Sequence, residues 1–208
     1  IHLLACKRFL GVPRSTPNRI VYGDMYRYPL YINCSVIALK YWFRVLSMTQ
    51  DRLPRQAYDM LVSLDERGKQ CWVSAIRDML CRAGFGVVWL QQGVGNVKSF
   101  IAVFKQRQID MYIQEWNETV ENRERYANYR SFKTIFCQEM FVNVLTHHQF
   151  RGVYAMLRAG MLPINANLAR YKNEPNRQNC PLCSAVEDEK HFLFVCPLYA
   201  ILRSKYKI

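Results

Sequence analysis

The chain has 208 residues, 50% of them hydrophobic, enough to bury a core in one or two domains. Its 29 basic residues outnumber 16 acidic ones, a formal net charge of +13 that points to a polyanionic partner, either nucleic acid or an anionic membrane face. Membrane insertion is not expected: the most apolar run, residues 30–46, carries Asn33, Ser35, Lys40 and Arg44, and nothing approaches the roughly twenty clean apolar residues a crossing requires. The chain begins at Ile1 without a signal-peptide signature, so it reads as a piece of a longer polypeptide. Its eight cysteines then suit a reducing compartment, where thiols bind metal or pack in the core.

In chain order the apolar period is helical. Leu3, Leu4, Cys6, Phe9 and Leu10 predict a short helix that stops at Pro13, and residues 30–46 an apolar helix carrying Tyr41, Trp42 and Phe43. Leu53, Ala57, Met60, Leu61 and Leu64 are spaced at three and four, with Gly68 as the stop; Trp72, Ile76, Met79 and Leu80 repeat the pattern up to Gly84. Residues 85–90 are β-branched and aromatic but too few for a strand assignment. Gly93 and Gly95 open a long helix through Phe100, Phe104, Ile109 and Trp116. A further helix is expected from about Ser131, with Ile135, Phe136, Met140, Phe141, Val144 and Leu145 on one side, reaching towards Gly160. Beyond it, Pro163, Asn165, Asn167, Asn173, Pro175, Asn176 and Asn179 make a turn-prone polar connector. Cys6, Cys34, Cys71, Cys81 and Cys137 are scattered on apolar faces and read as packing residues.

The chain ends differently. NCPLCSAVEDEKHFLFVCP places Cys180, Cys183, His191 and Cys196 at C-x2-C-x7-H-x4-C, four metal-type side chains within seventeen residues. Two thiolates two residues apart can face one ion from a tight turn, and a later His and Cys close a tetrahedron around Zn2+. With four protein ligands no coordination position stays open, so the metal would be structural. Phe192, Leu193, Phe194, Leu198, Ile201 and Leu202 supply a small apolar contact set, and Pro197 suits the first turn of a closing helix. The expected fold class is mainly α, a helical bundle followed by a small zinc-stapled module. The divisions are 1–48, 49–160, a basic connector 161–178, and the module 179–208.

Basic residues concentrate ahead of the motif: nine lie between Arg123 and Arg177 against three acidic ones. Arg151, Arg158, Arg170, Lys172 and Arg177, with Arg203 and Lys205 beyond the last cysteine, are the candidate nucleic-acid contacts. Tyr126, Tyr129, Tyr171 and Tyr199 interleave with the charges, as stacking on unpaired bases would require. Tyr154 shares a helical face with Phe150 and reads as core. Asp24 reads as a helix-end or capping carboxylate, and His147-His148 as a polar helix face.

The tail CPLCSAVEDEKHFLFVCPLYAILR resembles the zinc-binding segment at the C-terminal end of non-LTR (LINE-type) retrotransposon reverse transcriptases. CKRFLGVPRSTPNRIVYGDMYRYPLYI resembles the connector after the polymerase thumb in that family, and LKYWFRVLSM and RGVYAMLRAGMLPINANLARYKN resemble the stretches that separate polymerase and zinc segment. The seven-residue central gap departs from the four of retroviral zinc knuckles. The resemblance implies that residues 1–48 are post-polymerase helices and that the partners are template RNA and target DNA, together with an upstream polymerase domain of the same polypeptide. It implies a role in target-primed reverse transcription, a nuclear location at the site of integration, and neither membrane nor small-molecule substrate. Catalysis is not expected of this chain. It has no adjacent aspartate pair to hold two Mg2+ ions, and the twelve residues after Cys196 include no nuclease carboxylate. Two other readings stay open: a structural domain that buttresses the polymerase, and a host-captured or decayed copy acting in protein interaction.

Overall fold

Helical periodicity becomes helix along most of the chain. The computed structural model describes residues 1–206. It contains α1 (His2–Leu10), α2 (Asn18–Met25), α3 (Leu30–Leu46), α4 (Leu53–Glu66), α5 (Trp72–Arg82) and α6 (Gly86–Leu90). The long α7 (Val97–Asn122) follows, then α8 (Ala127–Phe132), α9 (Met140–Val144), α10 (His148–Arg158), α11 (Asn165–Lys172) and α12 (Ala200–Tyr206). Among the described residues no strand forms; the backbone pairs in extended fashion at an isolated antiparallel bridge, Asn179 with Val186. Among the described residues no helix is long and apolar enough to cross a membrane.

Two compact units divide the chain, and their limits differ from the divisions expected at residues 48, 160 and 178. One is contiguous, Tyr28–Glu115; the other joins Ile1–Arg27 to the chain from Trp116 onward.

In the contiguous unit, Val36, Leu39, Trp42 and Phe43 recur at helical spacing on α3 and bury against Tyr58 of α4, Val73, Ile76 and Leu80 of α5, and Ile101 and Phe104 of α7. The buried Trp42 indole donates to the Tyr58 hydroxyl at 3.1 Å, which passes its own proton to Gln92 Oε1 at 2.5 Å, so no polar atom of the pair is stranded. Gly68 and Gly84 end α4 and α5 with φ of 76° and 84°, and the N–H that follows each reaches back to the helix, Lys69 to Leu64 O at 3.0 Å and Phe85 to Leu80 O at 2.8 Å. Held this way, Phe85 stacks edge-on against Phe100 at 5.1 Å, and the short apolar run after it continues as the helical turn α6.

The discontinuous unit brings α1 against both α2 and α10. Gly11 and Gly152 allow the α1–α10 approach: a Cβ on Gly152 would lie 2.6 Å from the Gly11 carbonyl oxygen. The single helix expected over residues 131–160 is broken into α8, α9 and α10. Residues 133–139 leave the helix because Lys133 turns inward, where its ammonium donates to Cys137 O at 2.7 Å and pairs with Glu139 at 2.6 Å. Conversely, the expected connector contains α11, whose buried residues Asn167 and Ala169 present no apolar stripe. Of the scattered cysteines, Cys6 is buried and Cys71 half-buried, whereas Cys34, Cys81 and Cys137 are exposed, contrary to the packing role expected of them.

The close approach at Gly152 is testable. Gly152→Ala is expected to lower stability by roughly 1–3 kcal/mol in urea or thermal unfolding, because neither backbone can yield without separating α1 from α10. Gly95→Ala, where a Cβ meets nothing within 4 Å, should change it by less than about 0.5 kcal/mol.

Candidate metal centre

The four motif residues converge. Their ligand atoms all lie within 4.8 Å of one another. Cys180 Sγ stands 3.9 Å from Cys196 Sγ, and Cys183 Sγ stands 3.3 Å from His191 Nε2. With metal–sulfur bonds of about 2.3 Å the edge of a tetrahedral cage is about 3.8 Å, so these separations suit one ion at the centre. Cys180, His191 and Cys196 are buried and Cys183 faces solvent.

Two local turns make the cage. The first runs back on itself at the Asn179–Val186 bridge: Ser184 N–H donates to Cys180 O at 2.9 Å, Cys180 N–H to Ala185 O at 2.7 Å, and Ser184 takes φ of 57°. That reversal carries both thiols to one side. The second is a single π turn, His191–Val195, closed by Cys196 N–H on His191 O at 2.8 Å; this hydrogen bond across five residues draws His191 and Cys196 together. Backbone N–H groups of Cys183 and Leu182 pull the Cys180 thiol down to about 6, so the site presents a thiolate at neutral pH. Burial pushes the Cys196 thiol up, and a bound cation would displace that proton.

The acidic triplet ahead of His191 holds the cage to the rest of its unit. Glu187 Oε2 accepts from Asn165 N–H at 2.8 Å, which places a carboxylate at the start of α11 where the helix dipole favours it. Asp188 Oδ1 accepts from His191 N–H at 2.7 Å and starts the π turn. Glu189 Oε1 accepts from Asn167 Nδ2 at 2.8 Å, and Asn167 Oδ1 accepts from Arg170 Nη2 at 2.7 Å. None of these roles was read from the sequence; three consecutive acids, ending two residues before His191, were the available signal.

The seven candidate nucleic-acid contacts separate into two groups. Arg170, Lys172 and Arg177 are exposed and follow one another from the last turn of α11 into the short turn Pro175–Arg177; Lys205 is exposed on α12. Arg177 also meets Glu174 at 3.2 Å, an exposed pair of little energetic weight. Arg203 is half-buried and donates to Cys196 O at 2.6 Å, clamping the last ligand. Arg151 and Arg158 correct the expectation, because both are buried. Arg151 Nε donates to Phe9 O at 2.8 Å and Nη1 to Leu145 O at 3.1 Å, with its guanidinium 4.1 Å from the Phe9 ring. Arg158 Nη2 lies 3.2 Å from Asp24 Oδ1 and 3.1 Å from Glu139 Oε2. Among the tyrosines, Tyr126 and Tyr129 are core and cannot stack on bases, Tyr154 packs edge-on against Phe141 at 4.9 Å, and Tyr199 packs against Phe192 at 4.7 Å; Tyr171 is exposed.

Asp24, expected at a helix end, does stand in the last turn of α2, but fully buried. Tyr129 donates to its carboxylate at 2.9 Å beside Arg158. No family model, curated protein or solved structure matches this chain.

The purified chain is expected to carry a single bound metal ion. Cys183→Ser or His191→Ala should release it and unfold residues from about Asn179 onward, while most of the far-ultraviolet helical signal survives, since α1–α10 pack without help from the cage. Metal analysis well below one equivalent with all four residues intact would refute the centre.

Burial pushes the Asp24 carboxyl up to about 6, against the opposing pull of Arg158 and the Tyr129 hydroxyl. A carboxyl whose folded pKa exceeds its unfolded value near 4 contributes stability that is fully present below about pH 4 and is lost as pH rises through about 6. The stability advantage of the native chain over Asp24→Asn should therefore be largest near pH 4 and shrink by up to about 3 kcal/mol by pH 7. Unfolding titrations in which that advantage grows over the interval would show that the ion pair outweighs burial.

Proposed function

We propose that the chain is a zinc-stapled nucleic-acid-binding segment, working as the C-terminal part of a LINE-type reverse transcriptase that helps hold template RNA and target DNA for target-primed reverse transcription. The ion is zinc: three thiolates and one imidazole are its preferred donors, and the closed set leaves it a structural task. One observation carries the reading. The cage is bonded through Glu187 and Glu189 to α11, whose last turn exposes Arg170 and Lys172, with Arg177 just beyond. A metal-fixed scaffold thus presents cations of one sign with little competing acid, which is how phosphate contacts position a strand without reading its bases. In this reading the chain needs no catalytic set of its own, its polymerase partner belongs to the same polypeptide, and it acts in the nucleus.

A second reading, a module that buttresses a polymerase, is favoured by the tail's apolar residues. The contact set expected to pack around the cage is largely exposed, with Phe194, Leu198, Ile201 and Leu202 each at least half accessible.

Mixed-sequence RNA titrated with the zinc-loaded chain at several salt concentrations separates the two. Binding should weaken linearly in log–log terms, each phosphate contact adding roughly 0.7–0.9 to the slope. Replacing Lys172 and Arg177 together with Ala should lower that slope by roughly 1–2 without changing metal content. A double variant that keeps affinity and slope would make these cations ordinary surface charge and leave the buttress reading.

A further inference from the structure

A cavity of about 240 Å³ opens beside the arginine-bearing turn of α11, bounded by Pro17, Arg125, Gly160, Met161, Arg170 and Tyr171. It is smaller than the roughly 300–1,000 Å³ pockets that enclose whole drug-sized ligands. Two arginines and one tyrosine line it, and among the described residues no acidic residue does. Pro17 and Met161 give it an apolar surface.

The positive charge here is uncompensated. Arg125 is exposed and has no ion-pair partner among the described residues. Lys7, buried, donates to Arg14 O at 2.6 Å, and burial together with the neighbouring Arg125 charge lowers its pKa. Two arginines lining one cavity without an acidic residue beside them make a site suited to an anion, and the planar fork of each matches phosphate oxygens in pairs. The Tyr171 ring, 56% exposed, offers a face on which a base can stack.

Arg170 is not left to wander. Its Nη2 donates to Asn167 Oδ1 at 2.7 Å, and the Asn167 amide is itself fixed by Glu189 at 2.8 Å and Leu162 O at 3.0 Å. Glu189 stands two residues before the ligand His191. Glu189 and Leu162 O therefore orient one of the two arginines through Asn167, from outside the cavity, which cuts the ordering cost of binding.

We infer that this cavity is a site for one nucleoside 5′-phosphate unit, with the phosphate on Arg125 and Arg170 and the base against Tyr171. The inference rests on the nucleic-acid reading above and adds a specific seat to it; a free nucleotide and a nucleotide within a strand share the same chemistry, and the measurement distinguishes them.

The test uses the isotope-labelled, zinc-loaded chain and adenosine 5′-monophosphate. Backbone amide signals of Gly160, Met161 and Tyr171 should shift saturably, while adenosine alone and inorganic phosphate alone each bind at least about ten-fold more weakly. Arg125→Ala and Tyr171→Ala should each weaken binding roughly ten-fold. Both residues are exposed, so metal content and thermal stability should hold. A twenty-nucleotide single strand that shifts the same amides and competes with the mononucleotide assigns the seat to polynucleotides. Mononucleotide binding that no strand contests keeps the cavity as a nucleotide site and removes it from the nucleic-acid reading. If neither ligand moves these amides while salt-dependent strand binding persists, the cavity inference is overturned and the broader reading stands.

Discussion

Arg158 and Asp24, 134 residues apart in sequence, meet in a part of the discontinuous unit that neither side chain shares with solvent. Two charges withdrawn from water cost several kcal/mol each, and their attraction offsets this only when the remaining hydrogen-bonding capacity is also used. Here the neighbours supply part of it, while Asp24 Oδ2 and Arg158 Nε stay buried without a hydrogen-bond partner. Tyr129 donates to Asp24, Glu139 takes a second share of Arg158, and Lys133 binds Glu139 in turn, giving two cations and two anions in one buried group. The Glu139 N–H, at 3.0 Å from Asp24 O, joins the backbones. Such a cluster contributes little net stability, but it tolerates few alternatives. Shifting α10 by one residue against α2 would leave an unpaired charge in a dry interior, so the cluster sets which turn of each helix faces which. The inward fold of residues 133–139, and with it the break between α8 and α9, follows from the same requirement.

The C-terminal segment gathers instead around its cysteine–histidine cluster, which could hold an ion. Few apolar side chains of the tail are buried: Ile201 is 82% exposed, and Phe192 on Tyr199 is among the few ring contacts. A segment this short cannot offset its ordering entropy by burial, whereas a bound structural ion contributes on the order of 10 kcal/mol. The triplet Glu187, Asp188 and Glu189 then serves in two directions, starting the ligand-bearing π turn on one side and fixing the start and the buried Asn167 of α11 on the other. The cysteine–histidine cluster and the arginine-bearing helix are in this sense one object.

What was legible in the sequence had a periodic signal and a stop. α3, α4 and α5 lie where apolar residues recur at three and four, and Gly68 and Gly84 end the latter two as their position suggested. The cysteine and histidine spacing likewise brought four ligands together without any knowledge of the fold. The failures share a cause. Ile135, Phe136, Met140 and Phe141 mimic one helix face, yet the inward turn of Lys133 interrupts it, and an ion pair leaves no mark on hydropathy. α11 went unrecognised because its buried face is an asparagine and an alanine. Arg158 and Arg170 look alike as letters, and only Asp24, far away in sequence, decides that one is interior and the other free to meet a ligand.

The split course of the discontinuous unit has a consequence for the order of events on the ribosome. α1 and α2 are made early, but their partner helix α10 is not complete until Arg158, after the whole of Tyr28–Glu115 has been translated. At typical synthesis rates that interval is on the order of ten seconds, long compared with helix formation and with the folding of a small contiguous domain. Leu10 and Val21, interior in the finished unit, spend that time without their cover. The nascent chain thus carries α1 and α2 past a segment that can already fold, with part of their apolar surface uncovered until α10 closes over it.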